Sequence, residues 1–124
     1  MTRPRQITLG LAMGRVAFGA GLLAAPGRVA SPWLGSDAAR RPSQVAIRGL
    51  GARDIALSAG AFAAALDGGP VRPWLIALVA GDLADIGATL AAGDSLPDRS
   101  RTGTLALAGG SALAGAIVAA VVDA

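Results

Sequence analysis

The stretch from Leu105 to Val122 limits the fold more than any other part of the chain. It holds a single polar side chain, Ser111, and no charge. A helix on the surface of a water-soluble bundle shows a polar face, whereas this one is apolar all round. Its length suits a hydrocarbon core of about 30 Å. With 124 residues, the chain has the size of one small domain and too little bulk to surround such a helix with protein. Lipid is the remaining solvent.

Three further apolar stretches repeat the pattern, so the expected fold is an all-α membrane bundle of four transmembrane helices forming one domain over residues 1–124. The spans are expected at about 6–25, 43–66, 73–92 and 104–122. The first stops at Pro26-Gly27. Pro42 and Pro73 suit the opening positions of the second and third, and Gly68-Gly69-Pro70 ends the second. The connections, 26–42, 67–72 and 93–103, are short and favour antiparallel neighbours. Trp33 in the first connection and Trp74 at the start of the third span stand where interfacial anchors belong. Arg3 and Arg5 ahead of the first span resemble the basic region of a signal peptide. Arg15, however, interrupts its apolar core, and a retained helix is expected.

Composition excludes several function classes. Lys, Glu, Asn, His and Cys are all absent, which removes disulfides, thiolate and histidine catalysis, and the usual zinc and haem ligands. No metal site or cofactor is expected. No catalytic triad can be assembled, Ser–Lys variants lack their Lys, and no enzyme activity is expected. The net charge of +3 comes without a Lys/Arg run interleaved with aromatics, so nucleic acid is not an expected partner. The lipid bilayer is.

Ionisable residues inside the spans carry the functional interest: Arg15, Arg48, Arg53, Asp54, Asp82 and Asp85. Each alone costs about 2.5–3.5 kcal/mol at the centre of a membrane helix. Equal numbers of each sign suggest mutual neutralisation. At about 1.5 Å per residue, Arg15 and Asp82 lie roughly 14 Å in from one side and Arg53 roughly 15 Å in from the other. They therefore meet near the midplane, with Asp54 and Asp85 close by. Asp82 and Asp85 share a face with Leu78 and Thr89. Small residues at Gly49, Ala56, Gly60 and Ala64, and at Gly10, Gly14, Ala17 and Gly21, form stripes suited to close packing of the first three helices, or to self-association into a homo-oligomer. The fourth helix is expected to cover one side through Ser111 and Gly115. The charges of the second span make it the one whose full crossing is most in question.

Two further patterns bear on organisation. The run 10–17 aligns with 49–56, and Pro32-Trp33-Leu34 recurs as Pro73-Trp74-Leu75. An inverted repeat of the kind found in transporters would produce this, although chance alignment of Gly/Ala-rich sequence is the simpler account. Arg28, Arg40, Arg41, Arg99 and Arg101 flank one side of the expected bundle, against Arg3, Arg5 and Arg72 on the other. The positive-inside rule then places the chain in the cell membrane with both termini extracytoplasmic.

The run Arg48-Gly49-Leu50-Gly51-Ala52-Arg53-Asp54-Ile55-Ala56-Leu57, followed by Asp82-Leu83-Ala84-Asp85, resembles a family of small uncharacterised actinobacterial integral membrane proteins. Members have four helices, a Gly-Ala-Arg-Asp motif in the second and an Asp-x-x-Asp motif in the third. The resemblance extends from about Gly14 to Ala92, and the fourth helix matches only in being apolar. It implies a membrane location and a fold, not an activity. The balance of signs favours a structural or accessory role, with Arg–Asp pairs locking helices together. The alternative is a small oligomeric transporter or proton-coupled carrier using Asp54, Asp82 and Asp85.

Overall fold

A computed structural model describes residues 1–124. The chain is all helical: α1 (Arg3–Ala24), α2 (Pro26–Leu34), α3 (Arg41–Asp67), α4 (Arg72–Ala92) and α5 (Asp98–Val121), with 3-10 turns at Gly35–Ala39 and Gly93–Ser95. Three segments are long and apolar enough to cross a membrane: Arg3–Ala24, Arg72–Ser95 and Asp98–Val121. The longest helix, α3, is not among them, because Arg48, Arg53 and Asp54 interrupt its apolar run.

The number of helices exceeds the expectation. Residues 26–42, expected to be a plain connection, contain α2 and a 3-10 turn. Pro26 opens α2, where its fixed φ is already helical. Pro32 cannot donate to the Arg28 carbonyl, and the Ser31 hydroxyl does so instead at 3.1 Å. Gly35 stops the helix at φ 67°, and Pro97 lies where a Cβ on Gly35 would stand.

The helices assemble as two antiparallel pairs, α1 with α3 and α4 with α5. In each, residues spaced alternately three and four apart are buried. In α3 the seam is Ile47, Gly51, Asp54, Ser58, Ala61 and Ala65. In α1 it is Thr8, Ala12, Gly19 and Leu22, and in α4 it is Leu75, Leu78, Asp82 and Thr89. Such spacing is that of a left-handed bundle. The α1–α3 crossing is closest at Gly19 and Gly51, where a Cβ on either would stand 2.7 Å from the other's carbonyl oxygen. The expected stripes play a smaller part. Gly10, Gly14 and Gly49 touch nothing, while Gly60 lies beneath the Trp74 ring.

Burial runs opposite to that of a soluble bundle. Thr8, Asp54, Ser58, Asp82, Thr89 and Ser100 are buried, while Ile7, Met13, Phe18, Ile76, Leu83, Leu107, Leu113 and Ile117 are exposed. Apolar packing is confined to the ends. One cluster joins Ala65, Val71, Leu75, Val118, Ala119 and Val122, and the other joins Leu22, Ala30, Ala38 and Ile47.

Candidate functional site: a charged cavity at mid-height

Between the two apolar ends lie the charges. Arg15, Asp54 and Asp82 sit near the middle of α1, α3 and α4. The Arg15 guanidinium pairs with the Asp82 carboxylate, joining α1 to α4. The Arg53 guanidinium lies 3.5 Å from Asp85 and 3.6 Å from Asp54, joining α3 to α4. It rests over Gly81, where a Cβ would stand 3.1 Å from Nη2, so the absence of a side chain there makes room for it.

Five of the six ionisable residues expected within the spans therefore come together. Arg48 does not. Its side chain points outward, and its Nε donates to the Leu23 carbonyl at 3.2 Å. Arg48 follows Ile47 on the seam by one residue and Arg53 precedes Asp54 by one, so the two point to opposite flanks of the seam, and only the Arg53 flank faces Asp85 on α4. The departure of Arg48 changes the charge count. Three carboxylates, Asp54, Asp82 and Asp85, now face two guanidinium groups, Arg15 and Arg53. With every group ionised, the cluster carries one net negative charge.

Asp54 is the carboxylate with the weakest partner. Asp82 has Arg15 and Asp85 has a hydrogen bond from Arg53, whereas the guanidinium nearest Asp54 is that of its own chain neighbour at 3.6 Å, with the Arg15 charge also acting on it. It is nevertheless 6% exposed. One turn further along the seam, the Ser58 hydroxyl is fully buried with no hydrogen-bond partner, and Arg53 Nε is likewise unpartnered.

The cluster lines a cavity of about 620 Å³ enclosed by all five helices. Leu11, Leu50, Leu75, Leu78 and Val79 supply apolar wall, and Arg15, Asp54, Asp82 and Asp85 the charged part. On α5, Thr104 and Ser111 line it with hydroxyls, beside Gly115. The exposed lining residues Gly10, Gly14, Phe18, Gly103 and Leu107 mark a mouth between α1 and α5. A second cleft of about 530 Å³ approaches from the α3 and α4 side, and Asp85, Arg53 and Trp33 line it. Asp85 and Trp33 line both spaces.

One end of the cavity is capped by α2. The Trp33 indole donates to Thr89 Oγ1 at 2.8 Å, and Ser100 Oγ donates to the Pro32 carbonyl at 3.3 Å, fixing α2 to α4 and α5. Trp33 is thus half-buried over the site. Trp74, in the first turn of α4, lies against α3.

The opposite end is closed by a lattice that the sequence did not suggest. Arg5 donates to the carbonyls of Ala64 and Gly69, both at 2.9 Å, satisfying the C-terminal end of α3. Asp123 accepts from the backbone N–H groups of Val71 and Arg72 at the start of α4, at 3.1 and 2.8 Å. Arg72 in turn donates to the Ala119 carbonyl at 2.6 Å. Arg5 lies 3.5 Å from Asp123, so one network ties α1, α3, α4 and α5. The backbone N–H of Arg72, then that of Val71 and the Arg5 and Arg72 charges, hold the Asp123 carboxyl below its ordinary value. Arg5 and Arg72 lie in the first turns of α1 and α4 and Asp123 just past α5, each of the sign its own helix end disfavours; the sign suits only the neighbouring helix end that each one caps.

Compared with known proteins, the chain matches no family model, no curated protein and no solved structure.

Proposed function

We propose that the chain is a multi-pass integral membrane protein in which α1, α3, α4 and α5 all cross the bilayer, and that it works as a small proton- or cation-coupled carrier rather than as an enzyme. One observation carries this reading: three carboxylates meet two guanidinium groups in a cavity, once Arg48 has turned away. A net charge held at mid-bilayer is costly. A proton or a cation at Asp54 discharges it, and an occupant that both neutralises a site and can leave it is what a carrier requires. Spaces on two sides of the Arg53–Asp85 pair give the occupant two routes.

Crossing by α3 is supported by the cluster itself, since Arg53 and Asp54 find opposite charges there, while Arg48 is bonded to a helix-end carbonyl. The arginines around α2 and the start of α5 favour that end for the cytoplasm, with both termini outside. Outward-facing Gly49 and Ala56 on α3, away from the mouth, suit a homo-oligomer in the bilayer. A purely structural, accessory role is the second reading, and the Arg15–Asp82 tie between α1 and α4 favours it.

Cysteine labelling separates the two, because the native chain has no cysteine. In reconstituted vesicles, Ser111→Cys on the cavity wall should react with a membrane-impermeant maleimide. A Ser111→Cys protein that stays unlabelled in vesicles, yet reacts fully once unfolded, means a dry cluster and refutes the carrier reading.

A further inference from the structure

We propose that the cavity takes a hydrophobic organic monocation, an apolar body bearing one amine or onium charge, which reaches it sideways through the mouth between α1 and α5. The inference rests on the carrier reading and names its substrate class.

Charge selects the sign. With one carboxylate in excess, the site attracts a single positive charge and repels anions. Geometry argues against a metal ion, because the three aspartates do not converge as a ligand set. A dehydrated hard cation needs about six or more oxygen ligands on one point. An organic cation needs no such shell; one carboxylate suffices if the rest of the molecule is solvated by apolar wall.

The wall supplies that solvation. Leu11, Leu50, Leu75, Leu78, Val79 and Leu107 supply much of it, and the volume of about 620 Å³ lies within the usual range for small-molecule pockets, about 300–1,000 Å³. Asp54, 6% exposed and 3.6 Å from the nearest guanidinium, is the most loosely paired carboxylate and takes the charge. The Thr104 and Ser111 hydroxyls on α5 extend the polar part of the site.

The mouth determines the route. Gly10, Gly14 and Gly103 border the opening, and a Cβ on any of them would touch nothing. Around it, α1 and α5 present exposed Phe18, Met13 and Leu107, which are lipid-facing in a bilayer. An amphiphile partitioned into the leaflet therefore meets the opening without crossing water, while water and small polar reagents reach the same space through the second cleft, which shares Asp85 and Trp33 with it.

Equilibrium dialysis of the purified full chain in detergent, with radiolabelled tetraphenylphosphonium, tests the proposal. Tetraphenylborate, of the same shape and opposite sign, is the control. The wild type should bind the phosphonium saturably and not the borate. Asp54→Asn should weaken binding by at least about tenfold, since it removes the counter-charge from a buried pair. Gly14→Leu, which fills the mouth, should slow association. Absence of saturable phosphonium binding, equal binding of the borate, or undiminished binding by a folded Asp54→Asn protein overturns the proposal. If Asp54→Asn does not fold, an unchanged association rate in Gly14→Leu overturns it instead. Labelled Ser111→Cys without phosphonium binding refutes the substrate class alone; unlabelled Ser111→Cys removes the carrier reading beneath it.

Discussion

Replacing Asp82 with Asn leaves the Arg15 guanidinium without its counter-charge, in a helix that otherwise packs only loosely against α4. Asp54 is the carboxylate left to attract Arg15, but it lies beyond contact distance and already faces Arg53, so it replaces only part of the lost pair. The side chains of the pair are 17% and 8% exposed, so solvent screening offsets little of the loss. Breaking a buried pair by removing one partner costs about 3–5 kcal/mol, most of it the penalty of the charge left behind. The adjoining cavity gives that charge some polar surroundings, which places the expected loss near the lower end, about 3 kcal/mol. We predict that Asp82→Asn unfolds at clearly lower denaturant in mixed micelles. Adding Arg15→Gln, which removes the stranded charge, should recover more than half of the deficit. The two tryptophans, Trp33 over α4 and Trp74 over α3, report the transition by fluorescence without tyrosine background. A single mutant as stable as wild type, or a double mutant no better than the single, refutes the ion-pair account.

Two further outcomes follow from the packing and from the end lattice. Gly51→Ala would place a Cβ 2.7 Å from the Gly19 carbonyl oxygen and 2.9 Å from Leu22 Cβ, forcing α1 and α3 apart at an overpacking cost of about 1–3 kcal/mol. Gly49→Ala meets nothing and should be neutral or slightly stabilising, so equal thermal stability of the two variants in detergent would contradict the crossing. Asp123, whose folded carboxyl lies below its ordinary value, contributes stability that is complete above an unfolded pKa of about 3.9 and is lost as pH falls through the lower folded value. The stability difference between wild type and Asp123→Ala should therefore be full at neutral pH and shrink below about pH 4; a difference constant with pH would refute this role.

Hydropathy and length were enough to locate the long helices, because all-round apolarity needs no knowledge of which face packs. The same property hid the packing faces. In α3 the buried seam holds Gly51, Asp54, Ser58 and Ala61 while Val45, Leu66 and Ala59 lie outside, so apolar residues do not mark the interior. Selecting small residues led to Gly49, Ala56, Gly60 and Ala64, although the alternating three–four spacing through Ile47, Gly51, Asp54 and Ser58 was present in the sequence. That spacing also puts Arg48 and Arg53 on opposite flanks of the seam, but which flank meets α4 is set by packing, and with it the excess carboxylate. The α2 helix was hidden for another reason. Pro26, Pro32 and Gly35 read as punctuation, and only the tertiary bonds from Trp33 and Ser100 hold so short a helix in place.

The division of labour among the contacts bears directly on function. In lipid, apolar surface gives helices no reason to associate, so close packing and polar contacts must do it. Within each helix pair the contact is close and side-chain-poor: Gly19 against Gly51 in one, Gly115 against Val79 in the other. Between the pairs, mid-height contact is made by the Arg15–Asp82 and Arg53–Asp85 ion pairs, with the Arg5, Arg72 and Asp123 lattice at one end and Trp33 at the other. A glycine crossing has no second arrangement of similar energy, because moving it opens a gap along two backbones. An ion pair has one whenever a proton or cation arrives at a neighbouring carboxylate and changes which charges remain to be matched. The rigid joints thus lie inside the pairs and the ion-paired ones between them, beside the cavity; under the proposed carrier reading, occupation of Asp54 alters the relation of one pair to the other without unpacking either.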